Sequence, residues 1–293
     1  MKTIEIKGVS KDFGRTKALD DLNLIIEPNK IYGLLGRNGA GKTTLLNVLT
    51  NRLFPTSGEI IIDGETVNEN DAVLSSIYYM TEQNLYPEGD KIKGLFKWTK
   101  EFYPGFDIDY ANKLSDKFEL DTNKKVKALS TGYKSIFKAI LTLASNAAIL
   151  LFDEPVLGLD AYHRELFYKE VIANYNNHPK TMIVSTHLIE EAARVIEVAL
   201  VIKKGKLIIK ESVEELLMNS YMISGESSRV DQYIQNKKAL GVEYMGPMKS
   251  VVLLERLQKD DENSANDLKL EIGKIELQKL FISLTEEPGG IEQ

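Results

Sequence analysis

A glycine-rich octapeptide that ends in lysine and threonine carries the clearest chemistry in this sequence. Residues 36–43 read G-R-N-G-A-G-K-T, which fits the phosphate-binding pattern G-x-x-x-x-G-K-[ST]. In such a loop, backbone N–H groups and the N-terminus of the following helix bind phosphate oxygens. The lysine reaches the β- and γ-phosphates, and the threonine hydroxyl binds Mg²⁺. The residues expected to contact the nucleotide are Gly36, Asn38, Gly39, Ala40, Gly41, Lys42, Thr43 and Thr44.

The residues on either side of this loop supply the context that the pattern requires. Lys30 to Leu35 is a β-rich run and Thr43 to Leu49 has a helical pattern, so the loop joins a strand to a helix. The alternative is a glycine-rich turn that only packs a helix against a strand. The flanking elements favour a nucleotide site with Thr43 as one metal ligand.

Two adjacent carboxylates follow a second apolar run. Ile149 to Phe152 is typical of a strand buried on both faces of a parallel sheet, and Asp153 and Glu154 come directly after it. An acidic residue at this end of the strand faces the metal of a bound nucleotide, so Asp153 is predicted to hold Mg²⁺, mostly through water. Glu154 is predicted to polarise the attacking water as catalytic base. Alone, the pair could be a solvated turn; together with the phosphate-binding loop it indicates hydrolysis.

A short motif further along the chain resembles the signature of a known family. Residues 129–133, L-S-T-G-Y, occupy the place where ABC ATPases carry the sequence LSGGQ. The resemblance implies that Ser130, Thr131 and Gly132 meet the γ-phosphate of ATP bound by a partner subunit. It therefore implies a head-to-tail dimer with two composite sites, and ATP and Mg²⁺ as cofactors.

Other elements of the same family follow in order between residues 2 and 217. Phe13 stands where the family has an aromatic residue that stacks on adenine, and Gln83 where it has a glutamine that senses Mg²⁺ and relays to the membrane subunit. The resemblance makes Asp160 the aspartate-loop residue. It makes His187 the residue that contacts the γ-phosphate and holds the water of Glu154. On this basis Gln83 is assigned both a catalytic and a metal-binding role.

The signature departs from the family consensus at two positions. Thr131 replaces the first glycine and Tyr133 replaces the glutamine, while Ser130 and Gly132 remain. The β-branched side chain of Thr131 restricts the backbone, so slower hydrolysis or a narrower choice of partner is expected.

The LSTGY motif, the segment DEPVLGLDAYHRELFY and the C-terminal appendage resemble the bacterial export-type, YtrB-like and bacitracin-resistance-related ABC ATPases. This resemblance implies a homodimer, or a heterodimer with a homologous ATPase, that powers export of a peptide, antibiotic or other envelope-active compound through a separate permease. It also implies a cytoplasmic protein held at the inner face of the cell membrane by that permease. Docking is expected around residues 83–106, where Tyr86 is the preferred contact, while Trp98 and Phe102 are expected in the core.

The elements that must position these residues indicate an α/β fold. Three apolar runs, Ala147 to Phe152, Met182 to Ser185 and Val198 to Ile202, predict buried strands of a parallel sheet. We predict a phosphate-loop NTPase (ABC ATPase) core over residues 1–217, with an antiparallel β-subdomain and a helical subdomain inserted at about 84–144. Residues 218–293 are predicted to form a small α+β accessory domain that stabilises the chain or packs in the dimer. Within it, Lys259 to Asp267 is predicted to be a solvated loop.

Composition limits the remaining possibilities. Hydrophobic residues at 43% and charged residues at 27% are typical of a folded globular protein. A net charge of −6 gives no general attraction to nucleic acid, so no nucleic-acid partner is expected. The absence of cysteine excludes disulfides and thiolate chemistry and fits a reducing compartment. The N-terminus shows no secretory signal, and Ala139 to Phe152 is too short to cross a bilayer.

Two other functions stay open at this point. An ATP-gated regulatory switch with little hydrolysis would suit the altered signature. A soluble ABC ATPase acting on ribosomes or DNA is disfavoured because the chain has neither a second cassette nor a long coiled-coil insertion.

Overall fold

The computed structural model describes residues 2–286. The chain divides into two compact units, Met1–Ile209 and Lys210–Gln293. The strands are β1 (Ile4–Phe13), β2 (Thr16–Ile26), β3 (Ile31–Leu35), β4 (Ser57–Ile62), β5 (Glu65–Thr66), β6 (Ile77–Met80), β7 (Ile149–Asp153), β8 (Thr181–Thr186), β9 (Val198–Lys203), β10 (Lys206–Ser212), β11 (Tyr221–Glu226), β12 (Ala239–Met245), β13 (Met248–Leu253) and β14 (Glu271–Gly273). The helices are α1 (Lys42–Leu49), α2 (Asp71–Leu74), α3 (Ile92–Phe102), α4 (Ile108–Lys117), α5 (Thr131–Ala144), α6 (Ala161–Asn177), α7 (Ile189–Ala192), α8 (Val213–Met218), α9 (Ser227–Tyr233), α10 (Lys259–Asp267) and α11 (Leu277–Thr285), with a 3₁₀ turn at Val126–Ala128.

The first unit is built on a six-stranded sheet with the order β10-β9-β3-β8-β7-β6. Strands β9, β3, β8, β7 and β6 pair in parallel, and β3, β6, β7 and β8 are buried along their whole length. Leu35 pairs with Thr186, and Asp153 pairs with Ser185. The carboxyl ends of β3, β7 and β8 therefore meet at one edge of the sheet, where α/β folds place their ligands.

A second, antiparallel sheet of the first unit has the order β2-β1-β4-β5. Its inward-facing residues share one hydrophobic cluster with α1 and with one face of the central sheet. Leu45, Leu46 and Leu49 are buried and supply the α1 side of this cluster. The predicted α/β phosphate-loop fold with an antiparallel subdomain is confirmed.

Helices α3, α4 and α5 dominate residues 92–144, and two aromatic side chains there differ from expectation. Trp98 and Phe102, predicted to lie in the core, are 54% and 62% exposed and contact each other with ring centroids 4.7 Å apart. Tyr86, predicted to be the preferred contact with the permease, is half-buried, and its ring centroid lies 5.0 Å from that of Phe137. The amphipathic α3 turns Leu95 and Phe96 inward instead, so Trp98 and Phe102 fall on its outer face. Among residues 2–286, no helix is both long and apolar enough to span a membrane.

The second unit has its own antiparallel sheet, with the order β12-β13-β11-β14, and its own hydrophobic cluster. The prediction of a solvated loop over Lys259–Asp267 is wrong, because these residues form α10. A capping box starts this helix: the side chains of Gln258 and Asp261 each accept from the other's backbone N–H. Buried Ala265 attaches the helix to the cluster. An ion pair of 2.6 Å between Nζ of Lys237 and Oδ1 of Asp261 also holds the helix, whose polar composition gave no sign of it in the sequence.

Candidate functional site

The glycine-rich loop leaves β3 and leads directly into α1. Gly41 has φ +109°, and a Cβ there would lie 2.5 Å from the carbonyl oxygen of Ala18, so only glycine fits. Gly41 is also the N-cap of α1 and offers no side-chain acceptor to the first turn. The N–H groups of that turn remain available to an anion, as phosphate binding at a helix N-terminus requires.

Lys42 is buried at the start of α1. Its Nζ donates to the carbonyl oxygen of Gly36 at 2.8 Å and lies 4.0 Å from Oε1 of Glu154. Burial lowers the pKa of Lys42, and the negative charges of Glu154 and Asp153 oppose that shift. The loop thus holds a desolvated ammonium, which favours a nearby anionic phosphate.

Asp153 lies buried at the end of β7. Its Oδ2 accepts a hydrogen bond from the hydroxyl of Tyr79 at 3.2 Å, whereas its Oδ1 is buried without a hydrogen-bond partner among the described residues. Burial, and then the charge of Asp153, raise the pKa of Tyr79, so this hydroxyl stays a proton donor. An unpaired buried carboxylate oxygen suits a hard cation such as Mg²⁺.

Glu154 adopts a backbone conformation that is unusual for a residue with a side chain. Its φ is +49°, and its N–H donates to the carbonyl oxygen of Ser185 at 2.9 Å. This turn aims the carboxylate so that Oε2 lies 2.7 Å from Nδ1 of His187 while Oε1 faces Lys42. Such strain at the end of a strand is common at functional sites.

These groups surround a cavity of about 380 Å³. Nine of the predicted site residues line it: Asn38, Gly39, Ala40, Gly41, Lys42, Thr43, Thr44, Glu154 and His187. Ala18, Glu82 and Leu157 also line the cavity and were not predicted from the sequence. Gly36 contributes its carbonyl oxygen to Lys42, and Asp153 lies behind Glu154 at the end of β7.

Phe13 and Gln83 are among the predicted site residues that do not line the cavity. Phe13 is half-exposed at the turn between β1 and β2, so its ring is open to solvent. Nζ of Lys11 lies 5.3 Å from the centroid of this ring. Gln83 is exposed and does not line the cavity; Glu82, one residue earlier, does. The structure therefore does not place Gln83 with the predicted residues that line the cavity.

The signature residues form a separate packed group. Ser130 is the N-cap of α5, and its Oγ accepts from the N–H of Tyr133 at 3.3 Å. A Cβ on Gly132 would lie 2.5 Å from the carbonyl oxygen of Gly158, so the start of α5 and the 158–160 loop are in close contact.

Two rings continue this contact. The ring centroids of Tyr133 and His163 are 6.1 Å apart. Nδ1 of His163 lies 2.9 Å from Oδ2 of Asp160. Hydrogen bonds from the backbone and then the ring of His163 lower the pKa of Asp160. Ser130, Thr131, Gly132 and Asp160 do not line the cavity that contains Lys42.

The fold and this cavity are those of a phosphate-loop nucleotide-binding protein. A family model described as "ABC transporter" matches residues 19–157. The chain is 31% identical to the uncharacterized ABC transporter ATP-binding protein YhaQ of Bacillus subtilis (strain 168), over 73% of this chain and 72% of that protein. It is 35% identical to the ABC transporter ATP-binding protein YtrB of the same organism, over 65% of each chain. The chain belongs to the ABC transporter ATP-binding family.

A solved structure extends the comparison to a bound product. The dimeric ATP-binding cassette MJ0796 in a post-hydrolysis state, bound to ADP and Pi, is 27% identical with a TM-score of 0.63, over 72% of this chain and 98% of that one. The predicted resemblance to ABC ATPases, with ATP and Mg²⁺ as cofactors, is confirmed. The chain spans 65% of the length of YtrB.

Proposed function

We propose that this chain is the ATP-hydrolysing motor of an ABC transporter, acting in a dimer that closes around two ATP molecules. Lys42, Thr43 and Asp153 of one subunit hold each nucleotide, and Ser130 and Gly132 of the opposite subunit complete the site. The observation that carries the proposal is the position of Glu154 between Lys42 and His187 at the phosphate cavity. The signature residues, which this cavity lacks, then come from the second subunit.

The geometry supports in-line attack of water on the γ-phosphate. Glu154 accepts the proton of the attacking water, and the hydrogen bond to His187 fixes the orientation of its carboxylate. Thr43 and Asp153 would hold Mg²⁺, which neutralises charge on the phosphate oxygens when bound. Lys42 adds a positive charge where the phosphate charge lies.

Trapping of the closed dimer tests this proposal. Glu154→Gln keeps the size of the side chain but removes the base, so ATP and Mg²⁺ should convert the variant from monomer to dimer in light scattering. Adding Ser130→Arg to the same chain places a bulky charge in the opposite half of the composite site and should keep it monomeric. A Glu154→Gln chain that binds ATP but stays monomeric would contradict the proposal.

The proposed partner is an integral membrane permease that docks beside α3. A groove of about 470 Å³ is lined by Arg52, Tyr78 and Tyr103, and by the exposed rings of Trp98 and Phe102. Two adjacent exposed aromatic rings are typical of an interaction surface. Through this contact the motor would be held at the inner face of the cell membrane.

Membrane fractionation of the cells that make this protein tests the docking. Trp98→Ala with Phe102→Ala should move the chain from the membrane pellet to the supernatant, while ATP-dependent dimerisation remains. Phe54→Ala is the matched control, because Phe54 is a similarly exposed aromatic, at 55%, outside this groove. Retention of the double variant in the pellet would exclude this docking site.

We propose export of a peptide, antibiotic or envelope-active compound as the direction of transport. The support is the resemblance of the signature and of the segment after Glu154 to export-type ATPases, since the motor residues do not contact cargo. Cells with the wild-type chain should survive more bacitracin than cells with Glu154→Gln. Equal survival would contradict this choice of cargo class.

A further inference from the structure

A histidine ring packs between the ends of three helices of the first unit. His163 lies in the first turn of α6, and its side chain is 16% exposed. Its ring centroid lies 6.1 Å from that of Tyr133, in the first turn of α5, and 6.3 Å from that of Phe118, at the end of α4. These separations are within the range of aromatic pairs, and Phe118 is buried. The ring of His163 therefore contacts α4 and α5 from its place on α6.

One polar side chain orients this ring. Nδ1 of His163 lies 3.0 Å from Oδ1 and 2.9 Å from Oδ2 of Asp160, and Nδ1 is the donor because a carboxylate only accepts. The backbone N–H of His163 also donates to Oδ1 of Asp160, at 2.9 Å. Nε2 of His163 is buried without a hydrogen-bond partner among residues 2–286. The orientation of the ring therefore depends on Asp160.

Both signature residues that depart from the family consensus face the segment 158–163. Tyr133 contacts it through the ring of His163. Cγ2 of Thr131 lies 3.3 Å from the position that a Cβ would take at Gly158. The consensus glycine has no methyl group and the consensus glutamine has no ring, so neither contact would form with the consensus residues. The altered signature of this chain is thus matched to residues 158–163 of the same chain.

We propose that His163 is a positioning residue for the composite ATP site, where it ties Asp160 to Tyr133. This tie holds the first turn of α5 in the place from which Ser130 and Gly132 reach the nucleotide of the opposite subunit. The inference rests on the proposed dimer. His163 does not line the phosphate cavity of its own chain. Its loss should therefore weaken the closed dimer and leave ATP binding by the monomer unchanged.

A double-mutant cycle in the Glu154→Gln chain tests the proposal. Light scattering in ATP and Mg²⁺ gives the chain concentration at which half of the protein is dimeric, and equilibrium titration of the monomer gives the ATP affinity. His163→Asn keeps a donor for Asp160 but removes the ring, and Tyr133→Ala removes the ring on α5. Each should raise the half-dimer concentration by about tenfold. The double variant should lie within about twofold of either single variant, because each change breaks the same tie.

Two further variants separate the tie from other effects of the substitution. His178→Asn makes the same change at the other end of α6, where His178 is exposed, and should leave dimerisation and ATP affinity within about twofold. His163→Phe keeps a ring beside Tyr133 but removes the donor to Asp160, and should weaken the dimer by about tenfold. Thermal melting shows whether each variant folds, and His163→Phe replaces His163→Asn in the cycle if the latter does not.

The outcomes separate this tie from the dimer on which it rests. Losses that multiply to about a hundredfold in the double variant would show independent structural effects and overturn the proposal. An unchanged dimer in either His163 variant, or a weaker ATP affinity of its monomer, would overturn it as well. A Glu154→Gln chain with His163 in place that binds ATP but stays monomeric would refute the proposed dimer, and this inference with it.

Discussion

Glu154 is held by contacts on three sides. Its N–H is bound to Ser185, its Oε2 to the ring of His187, and its Oε1 lies 4.0 Å from the ammonium of Lys42. A carboxylate fixed in this way loses little freedom when it accepts a proton from water. The position of the group, and not only its chemistry, accounts for its assignment as base.

Glu154→Gln and His187→Ala are expected to lower the ATP hydrolysis rate by about 10²–10⁴-fold each. The first removes the proton acceptor and the second removes the ring that orients it. Because Lys42 and the glycine-rich loop are unchanged, ATP affinity should remain close to wild type. Steady-state phosphate release and equilibrium titration measure the two quantities. A Glu154→Gln chain with full turnover would rule out this base.

Tyr79→Phe removes the hydrogen bond to Oδ2 of Asp153 and leaves that buried oxygen without its donor. We expect the free energy of unfolding to fall by about 1–3 kcal/mol. Tyr103→Phe is the matched control, because its hydroxyl donates to a neutral carbonyl, that of Ile77, and should cost about 0.5–1.5 kcal/mol. Chemical denaturation measures both. An unaltered stability of Tyr79→Phe would contradict the importance of this bond.

Much of the phosphate cavity was predictable because the relevant residues are adjacent in sequence. The glycine-rich loop has a fixed spacing, and Asp153 and Glu154 are adjacent. A buried strand comes before each of the two motifs, so each could be placed at the carboxyl end of its strand. Glu82 was not predicted because it lies in the loop after β6, where no periodic pattern shows which residue lines the cavity. Tyr79 was not predicted because, in the sequence, an aromatic residue in a buried strand cannot be told from an ordinary core residue.

The first turn of α5 is constrained by the loop that precedes α6. Gly132 and Gly158 approach so closely that a Cβ on Gly132 would lie 2.5 Å from a backbone oxygen. The hydroxyl of Ser135 adds a bond to the carbonyl oxygen of Leu157 at 2.9 Å. The proposed signature and the aspartate loop should therefore move as one piece when the dimer closes.

Gly132→Ala should force this contact apart. We expect a loss of about 1–3 kcal/mol in stability from overpacking, and loss of ATP-dependent dimerisation. Gly94→Ala on α3 is the control, because a Cβ there meets nothing within 4 Å and should gain about 0.5–1 kcal/mol from helix propensity. Thermal unfolding and light scattering check both variants. Equal behaviour of the two would show that the close contact is not required.

The elements that the sequence predicted share a feature that α10 lacks. The strands β7, β8 and β9 are short apolar runs, and such runs indicate buried strands directly. Helix α10 buries only Ala265 and has no apolar stripe, so its periodicity could not be read. The orientation of α3 was equally hidden, because aromatic residues at helical spacing can face either side.

The two units of the chain have separate hydrophobic clusters. All residues that line the phosphate cavity belong to the first unit. We propose that the C-terminal unit stabilises the chain or its dimer and takes no part in binding the nucleotide. Deletion of residues 221–293 should leave ATP affinity within about threefold of the full chain.

Equilibrium titration of the truncated chain checks this prediction, with circular dichroism to show that it is folded. Lys42→Ala in the same truncated chain is the control and should abolish binding, because it removes the ammonium from the cavity. A folded truncation that no longer binds ATP would place part of the nucleotide site in the C-terminal unit.

We propose that hydrolysis needs two chains, because the signature residues lie outside the cavity of their own chain. The most direct test is the ATPase rate per chain, measured over a wide range of protein concentrations with light scattering at each point. The rate per chain should rise with concentration and reach a plateau as the ATP-bound dimer forms. A constant rate per chain under conditions where only monomer is present would contradict it.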